Sequence, residues 1–436
     1  MSEVTLKDVL KVIQRTINSV DNRLLDHGEQ VGFICMRMGL AMGHTEAELI
    51  PLCSLATIHD IGAYKVEERK RLTEFEVDSP HEHAIYGSLF VRHFSPFPEA
   101  ANTLLYHHWR YEDRLRIVGD RLIPPEAFLV NLADRVSVLF AHSGNGLKSA
   151  IEHHIPRLSG RAFEPQSVDL LMDLVRHTDL VDRIIDGSYM QEFHDFLGRA
   201  RVTAEEAIAY LNTLVYAIDF RSPQTVTHSV LVATNALHIG ELTELSCAKM
   251  AMLRHAALLH DVGKITTPLE VLTKPGRLTD DEMDVMRRHV SVTWDVLSQA
   301  VPRQVAEIAS NHHEKLNGLG YPRGLSADQL CKTSRILAVA DVLPALIEPR
   351  YYKPALPKER VLDIMRSNAD QGALDPSIVA VVSENYDALA AESTEQQTYV
   401  LALYDDISAE YDRLVREVHC ITREAREQRR SILKAA

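Results

Sequence analysis

Long apolar runs, paired cysteines and an excess of basic residues are all absent from this chain of 436 residues. Because no stretch of about eighteen apolar residues occurs, the sequence predicts no membrane-spanning helix. The five cysteines are scattered and odd in number, which indicates reduced thiols rather than a disulfide framework. The first residues lack the basic and then apolar order of a signal peptide, so we expect a cytoplasmic protein. With 47 basic against 61 acidic residues, the net charge of -14 argues against polynucleotide binding.

Alternating strand patterns are also nearly absent, whereas apolar residues recur at helical spacing. In residues 229–240 and 305–309 the apolar positions follow one another at gaps of three and four. Thr203, with Glu206 three residues later, has the form of a capping box and predicts that a new helix begins there. We therefore predict an all-α protein with a domain boundary near residue 200, which separates domains 1–200 and 201–390.

Residues 391–436 are predicted to form a C-terminal helix. Apolar residues alternate steps of four and three over about three heptads, and a basic stretch follows. Such a seam suits a long helix packed on the second domain, which we prefer, or a homodimer formed through the C-terminal helix. The seam residues are Val400, Tyr404, Ile407, Tyr411, Leu414, Val418 and Ile421.

Histidine is plentiful, with 21 residues, and its arrangement reveals an internal repeat. Seven histidine and aspartate positions recur in the same order, at offsets of 201 to 207 residues. A single histidine on an apolar helix is usually a core residue, but seven recurring positions are not explained in that way. The first copy is His27, His59, Asp60, His83, His107, His108 and Asp134, and the second is His228, His260, Asp261, His289, His312, His313 and Asp341.

These residue types are ligands for divalent metal ions. Neutral imidazoles and carboxylates bind Mn, Fe, Co, Ni or Zn, and the lack of paired cysteines argues against a structural zinc ribbon. Each copy has more ligands than one ion can use. The adjacent His260 and Asp261 suit two ions about 3.5–4 Å apart, because the carboxylate can bridge them while the imidazole binds one. The pattern therefore predicts a two-metal hydrolase.

The motifs around the second copy resemble those of the HD-GYP phosphodiesterases. The run LHDVGK at residues 259–264 precedes HHE at 312–314 and GLGYP at 318–322, and the similarity covers about residues 203–385. The resemblance implies two tandem HD-type helical domains, of which the second linearises a 3′,3′-cyclic dinucleotide. It also implies a bi- or trinuclear centre of iron or manganese, with magnesium, cobalt or nickel as alternatives.

The resemblance assigns roles to individual residues. Asp261 would bridge the ions, and Lys264, about one helical turn further on, would contact a phosphate oxygen as negative charge develops there. We predict these two as the catalytic residues. The alternative for Lys264 is an ordinary exposed lysine at a helix end, and the alternative for Tyr321 is a residue that only anchors its loop. The implied metal ligands are the seven residues of the second copy, and the implied substrate-binding residues are Gly320, Tyr321, Pro322, Arg350 and Lys353.

Three positions depart from the family pattern. Gln224, four residues before His228, replaces an acidic ligand of three-metal members, so we predict two ions per active site. Pro344 stands three residues after Asp341, where cyclic di-GMP enzymes have an aspartate that approaches guanine. Proline cannot accept guanine N–H bonds, and inside a helix it removes a backbone donor and is expected to kink the helix. The third departure is RYYK at residues 350–353, where the family often has proline second.

The loss of an acidic guanine reader should reduce guanine selectivity more than phosphate binding, since base edges specify and phosphates position. We therefore expect hydrolysis of 3′,3′-cyclic GMP-AMP to linear 5′-pApG, as in members that pair an HD with an HD-GYP domain. The alternatives are a cyclic di-GMP phosphodiesterase, a general HD nucleotidase, and a non-catalytic dinucleotide-binding scaffold that signals through the terminal helix. We expect contact between the two domains within the chain and no polynucleotide or membrane partner.

The first copy keeps the ligand set but lacks the catalytic and substrate parts of the motif. Ala63 stands where the second copy has Lys264, and Trp109 stands where it has Glu314. Residues 111–114 read YEDR, and no GYP sequence follows. We predict a second, metal-capable site with weaker phosphate stabilisation. Its role is, in order of preference, structural, a nucleotide sensor or a second hydrolase, and the simplest alternative is histidines and aspartates paired in the core.

Overall fold

The computed structural model describes residues 5–18, 26–63, 81–220, 223–274, 276–298, 301–347 and 356–435. Within these ranges the chain forms helices joined by turns, and its β-type pairs are isolated bridges such as Asn317 with Ser326. No strand forms in this part of the chain, which confirms the predicted all-α fold. No helix described there is long and apolar enough to cross a membrane.

The described residues divide into two compact units. The first comprises Met1–Thr213 together with Ile407–Ala436, and the second comprises Leu214–Asp406. This grouping differs from the predicted domains in two respects: the first division falls after Thr213 and not near residue 200, and the end of the chain belongs with the first unit. The second difference arises because the terminal helix is long enough to contribute to both units.

The first unit has its core among helices that also carry histidine ligands. Phe33 and Phe90 are fully buried on the helices His27–Ala41 and His81–Phe94, and Phe193 joins them from Tyr189–Arg199. The described α-helices of this unit are Leu6–Asn18, His27–Ala41, Glu46–Thr57, His81–Phe94, Ala101–Tyr106, Pro125–Ser143, Leu147–His154, Pro165–His177, Leu180–Asp186 and Tyr189–Arg199.

The helix predicted to begin near residue 203 is present as Ala204–Asp219. The backbone N–H of Thr203 donates to Glu206 Oε2 at 2.7 Å, and the N–H of Glu206 donates to Thr203 Oγ1 at 3.1 Å. These two bonds satisfy N–H groups that have no partner within the helix. The predicted capping box is therefore confirmed.

The second unit is arranged around the helix Pro223–Leu242, which packs on Cys247–Leu259 and Lys332–Ile347. Leu231, Leu253 and Leu337 are fully buried between these helices. A 3₁₀ turn, Val262–Thr266, follows the second of them and packs on Asp280–Leu297. The described α-helices of this unit are Pro223–Leu242, Cys247–Leu259, Leu269–Leu272, Asp280–Leu297, Arg303–Ser310, Lys332–Ile347, Lys358–Asp370 and Pro376–Glu384.

A single terminal helix, Tyr386–Ala435, ends the described chain. Its apolar seam is covered by this chain itself, since Ile407 and Leu414 are fully buried. Within the first unit Tyr411 stacks on Tyr86 with ring centroids 3.7 Å apart. The end of the helix, from Ile407 onward, therefore belongs with the first unit.

Candidate metal centres

The seven positions of the second copy come together in the second unit, although they lie on separate elements. His228 and Asp341 project from the helices Pro223–Leu242 and Lys332–Ile347, which pack against each other. His260 and Asp261 end the helix Cys247–Leu259. The remaining ligands are His289 on Asp280–Leu297, and His312 and His313 just after Arg303–Ser310.

Asp261 lies at the middle of this cluster and presents one carboxylate oxygen to each side. Its Oδ2 lies 3.4 Å from His228 Nε2 and 3.1 Å from His260 Nε2. Its Oδ1 lies 3.3 Å from His289 Nε2 and 3.8 Å from His312 Nε2. One carboxylate thus separates two groups of imidazoles, as a bridging ligand would.

Asp341 closes the cluster from the opposite helix. Its Oδ1 lies 3.1 Å from His228 Nε2, and its Oδ2 lies 3.7 Å from His313 Nδ1. Burial lowers the basicity of His228, yet its hydrogen bonds to Asp261 and Asp341 outweigh burial and raise its pKa to about 9. A positive charge is therefore favoured between these two carboxylates.

Backbone hydrogen bonds fix the direction of three imidazoles. The Nδ1–H groups of His260, His289 and His312 donate to carbonyl oxygens three residues earlier, at 2.7, 2.6 and 2.6 Å. A neutral imidazole bonded in this way has its lone pair on Nε2, which points into the cluster. Burial lowers the pKa of His289 to about 4 and holds the pKa of His312 well below its usual value, so these two rings are neutral.

Two buried ligand atoms lack hydrogen-bond partners among the described residues. They are His260 Nε2 and Asp261 Oδ1, which face the two sides of the cluster. Buried polar atoms are normally paired, so an unpaired acceptor on each side of the cluster calls for a cation there. The residues present therefore fit divalent metal ions, and they fit them on both sides of Asp261.

A glycine in each copy allows the third histidine to approach the His-Asp pair. A Cβ atom at Gly263 would lie 2.0 Å from the carbonyl oxygen of His289, and one at Gly62 would lie 2.1 Å from that of His83. Thr293 links the same two segments, because its hydroxyl accepts from the Gly263 N–H at 3.1 Å and donates to His260 O at 3.0 Å. Only glycine fits this crossing without moving the ligand helix.

Lys264 lies on the 3₁₀ turn Val262–Thr266, and its Nζ donates to Asp261 Oδ2. Burial opposes its charge, but the carboxylate of Asp261 prevails and raises the pKa of the lysine. The side chain is 19% exposed, so its ammonium group borders both the metal ligands and solvent.

The GYP loop is held beside His313. The ring of Tyr321 lies 4.8 Å from that of His313, and its backbone N–H donates to His313 O at 3.2 Å. A Cβ atom at Gly320 would lie 2.5 Å from Glu314 Cα, so glycine is required for the loop to fold back here. Pro322 follows Tyr321 in the same exposed turn.

Three other positions named in the sequence analysis lie wholly or partly outside the described residues. Arg350 and Lys353 are not described, and neither is the side chain of Gln224. Pro344 is buried inside the helix Lys332–Ile347, which continues through it.

Two functional residues escaped the sequence reasoning. Glu314 is buried and accepts from the backbone N–H groups of Arg323 and Leu325 at 2.7 and 2.9 Å, which ties the GYP loop to the metal ligands. Asp219 ends the helix Ala204–Asp219, is 5% exposed, and has an unpaired Oδ2 in the described part of the protein. Burial and then the charge of Asp261 raise the pKa of Asp219 to about 7, although a hydrogen bond from Ser229 opposes this.

A repeat comparison could have found Asp219. It stands nine residues before His228, and Asn18 stands nine residues before His27, each at the end of a helix. The recurrence of an Asp or Asn at this point would have marked the position.

The first copy forms a second cluster inside the first unit. Asp60 Oδ1 lies 3.5 Å from His59 Nε2 and 3.4 Å from His83 Nε2, and Asp134 Oδ1 lies 3.3 Å from His27 Nε2. The remaining pair, His107 and His108, completes the cluster around His83. All seven positions are thus brought together here too.

This first cluster differs from the second in charge and in exposure. Arg135, which follows Asp134, donates to its Oδ2 at 3.0 and 2.6 Å, whereas Val342 follows Asp341 in the second copy. The side chain of His108 is 5% exposed, against 29% for its counterpart His313. One face of the second cluster is open to solvent, and the matching face of the first is covered.

Two stretches of the chain match the HD domain. One HD-domain pattern covers residues 199–378 and another covers residues 24–139. Each cluster therefore lies within one matched stretch.

Characterised proteins of similar sequence are phosphodiesterases. 3′3′-cGAMP-specific phosphodiesterase 1 of Vibrio cholerae is 30% identical over 403 residues, which cover 88% of this chain and 92% of that protein. 3′3′-cGAMP-specific phosphodiesterase 3 of the same organism is 32% identical over 67% of this chain and 63% of its own length. The cyclic di-GMP phosphodiesterase response regulator RpfG of Xanthomonas campestris is 39% identical over 39% of this chain and 45% of its own length.

A solved structure has the same fold. The crystal structure of a cyclic GMP-AMP specific phosphodiesterase of Vibrio cholerae covers 88% of this chain and 98% of its own, with a TM-score of 0.56 and 21% identity.

Proposed function

The chain belongs to the HD-GYP phosphodiesterase family, and from this premise we propose that its second unit hydrolyses a 3′,3′-cyclic dinucleotide to the linear form. The observation that carries the proposal is the position of Asp261, whose two carboxylate oxygens face separate groups of imidazoles. A carboxylate shared between two such groups is the donor arrangement of a two-metal phosphodiesterase.

We assign two divalent ions to this active site, iron or manganese in the first place, with magnesium, cobalt or nickel as alternatives. Bound there, the ions would supply Lewis acidity and an activated water for attack on the phosphodiester. The protein fixes the orientation of three imidazole rings, because their Nδ1–H groups donate to backbone carbonyls before any ion binds. The assigned ligands are His228, His260, Asp261, His289, His312, His313 and Asp341.

Lys264 is assigned to the phosphate. Its ammonium group lies beside Asp261 and is partly exposed, so it can donate to a phosphate oxygen of a substrate that occupies the same face. This contact would stabilise negative charge that grows in the transition state. The first unit has Ala63 at this position, which supports assigning the hydrolysis to the second unit.

The substrate-binding residues are assigned to the open side of the cluster. Tyr321, supported by Gly320 and Pro322, borders His313 and limits access from that side. Arg350 and Lys353 are proposed to contact a base or a phosphate. The planar guanidinium of Arg350 and the compact ammonium group of Lys353 are both suited to such contacts.

We favour 3′,3′-cyclic GMP-AMP as the substrate and 5′-pApG as the product. Pro344, which lies three residues after Asp341 on the same helix, has no oxygen in its side chain to accept from guanine. The two V. cholerae relatives described as 3′3′-cGAMP-specific support the same choice. Cyclic di-GMP is the second candidate because RpfG, described as a cyclic di-GMP phosphodiesterase, is 39% identical over 173 residues.

The assignment is tested by a matched pair of variants, Asp261→Ala in the second unit and Asp60→Ala in the first. Purified protein with Mn²⁺ or Fe²⁺ should linearise cyclic GMP-AMP, and Asp261→Ala should abolish this while Asp60→Ala retains it. Full hydrolysis by Asp261→Ala would overturn the assignment. Binding of the cyclic dinucleotide without linear product would identify a scaffold, and cleavage of mononucleotides in its place would identify a general nucleotidase.

The choice of substrate has its own variant. Pro344→Asp restores a guanine acceptor, so it should raise the rate on cyclic di-GMP relative to cyclic GMP-AMP. An unchanged ratio of the two rates would remove Pro344 from substrate selection.

A further inference from the structure

The cluster of the first unit has the donors of a metal centre. His83 Nε2 lies 3.4 Å from His107 Nε2 and 3.0 Å from His108 Nε2. Because His107 Nδ1 donates to Leu104 O at 2.6 Å, its Nε2 carries a lone pair that points at these neighbours. His59 is oriented in the same way, and its buried Nε2 has no partner among the described residues. The buried lone pairs of His59 and His107, which point into the cluster, suit a cation between them.

This cluster is closed, unlike the one in the second unit. The side chains of its seven histidines and aspartates are at most 10% exposed. Closed sets of protein ligands are typical of structural metal sites, whereas catalytic sites keep one position open for water and substrate.

The terminal helix lies on the segment that replaces the GYP loop. Residues 109–121 follow His107 and His108 as the GYP loop follows His312 and His313. Charged residues of this segment bond the helix at both ends of the stretch Glu410 to Arg429. The contacts are Arg121–Glu410 at 2.5 Å, Arg429–Asp113 at 2.6 Å, Arg429–Glu112 at 3.3 Å and Arg116 with Gln428.

The terminal helix also contacts the helix that carries His83. Tyr411 stacks on Tyr86, which lies on the same helix as His83. His81, two residues before His83, is buried against the ring of Trp109. In the first unit the terminal helix therefore covers the face that corresponds to the substrate-binding face of the second unit.

We propose that the first unit contains a closed, structural divalent-metal centre, and that the terminal helix seats over it and retains the ion. The imidazole-rich donor set suits Zn²⁺ or another first-row ion. The proposal is independent of the hydrolysis assigned to the second unit, since it rests on residues of the first unit alone.

The test measures zinc content and zinc release from the full chain. Protein loaded with Zn²⁺ is mixed with a chromophoric chelator, and the ions should be released in two kinetic classes. The fast class comes from the open centre of the second unit, and the slow class comes from the closed centre of the first. Asp60→Asn should remove the slow class and its share of the zinc. His107→Gln provides a second ligand variant, and circular dichroism verifies that each is folded.

The role of the helix is tested by charge reversal at its seat. Arg121→Glu combined with Arg429→Glu should accelerate the slow class about tenfold, since it breaks several partly buried ion pairs. Arg430→Glu makes half of that charge change, at an exposed position of the same helix, and should leave the release rate unchanged. Zinc content that is equal in wild type and in both ligand variants would overturn the metal centre. A slow class that keeps its rate in the double variant would overturn the retention by the helix. Hydrolysis of cyclic GMP-AMP, assayed in parallel, reports on the second unit alone.

Discussion

Gly263→Ala should lose most of the phosphodiesterase activity, while the matched Gly62→Ala keeps it. A Cβ atom at Gly263 would lie 2.0 Å from His289 O, whereas ordinary contact begins near 3.4 Å. The helix Asp280–Leu297 must therefore move by roughly 1.4 Å, the difference between these distances. That helix carries His289, whose Nε2 is 3.3 Å from Asp261 Oδ1. The ligand set would open on one side of the bridging carboxylate.

The expected magnitudes follow from this displacement. Overpacking in a well-packed region costs about 1–3 kcal/mol, which lowers Tm by roughly 2–12 °C for a unit of this size. A misplacement near 1 Å at a reacting centre costs about a hundredfold in rate. The clash at Gly62 is nearly the same, with His83 O at 2.1 Å. Gly62→Ala should therefore lower Tm by a similar amount and leave kcat within about twofold of wild type, because distant sites act independently.

The assay combines thermal unfolding with steady-state hydrolysis of cyclic GMP-AMP for both variants and wild type. Metal content is measured alongside, since a displaced ligand also weakens metal binding. Wild-type kcat in Gly263→Ala would refute the reasoning, because the close crossing would then not position His289. Equal losses of kcat in both variants would show that the first unit contributes to the chemistry.

Three further predictions concern residues around the second centre. Lys264→Met should lower kcat by about a hundredfold with metal content unchanged, since it removes one charge that stabilises the transition state; unchanged kcat would contradict its phosphate role. Glu314→Gln leaves one acceptor oxygen for two backbone donors, so it should cost about 1–3 kcal/mol and raise KM, and unaltered KM and Tm would contradict the anchoring of the GYP loop. Asp219→Asn concerns the metal-free protein: because the pKa of Asp219 is raised from 3.8 to about 7, this carboxyl destabilises the fold progressively as pH rises from about 4 to about 7, by up to about 4 kcal/mol in all and by roughly 3 kcal/mol between pH 5 and pH 8. Urea unfolding at pH 5 and pH 8 should show this loss in wild type and a smaller one in Asp219→Asn, and identical pH dependence would contradict the burial of the carboxyl.

Residue type and repetition made much of the molecule predictable. Apolar spacing is a local property of helices, so the all-α fold and the helix that starts after Thr203 followed from the sequence. The clusters were predictable for another reason: histidines and aspartates at seven recurring positions have no other shared explanation. The structure brings both sets together, which is what a duplicated centre requires.

The missed features depend on contacts that spacing does not encode. Glu314 works through backbone N–H groups nine and eleven residues away, and any loop of similar composition could have folded differently. Asp219 matters because its carboxyl reaches Ser229, next to His228, and only tertiary structure decides that contact. The heptad seam showed which face of the terminal helix is apolar, but Tyr86 and the segment around Arg121 decide what covers its end.

The most direct test of the phosphodiesterase assignment is a side-by-side hydrolysis of three cyclic dinucleotides. Purified chain loaded with Mn²⁺ or Fe²⁺ is given cyclic GMP-AMP, cyclic di-GMP and cyclic di-AMP at equal concentration, before and after chelation, and the products are separated by chromatography. We predict that cyclic GMP-AMP is converted fastest, to 5′-pApG, and that chelation stops the reaction. Equal rates on cyclic GMP-AMP and cyclic di-GMP would contradict the role of Pro344, and the absence of linear product from all three would contradict the assignment itself.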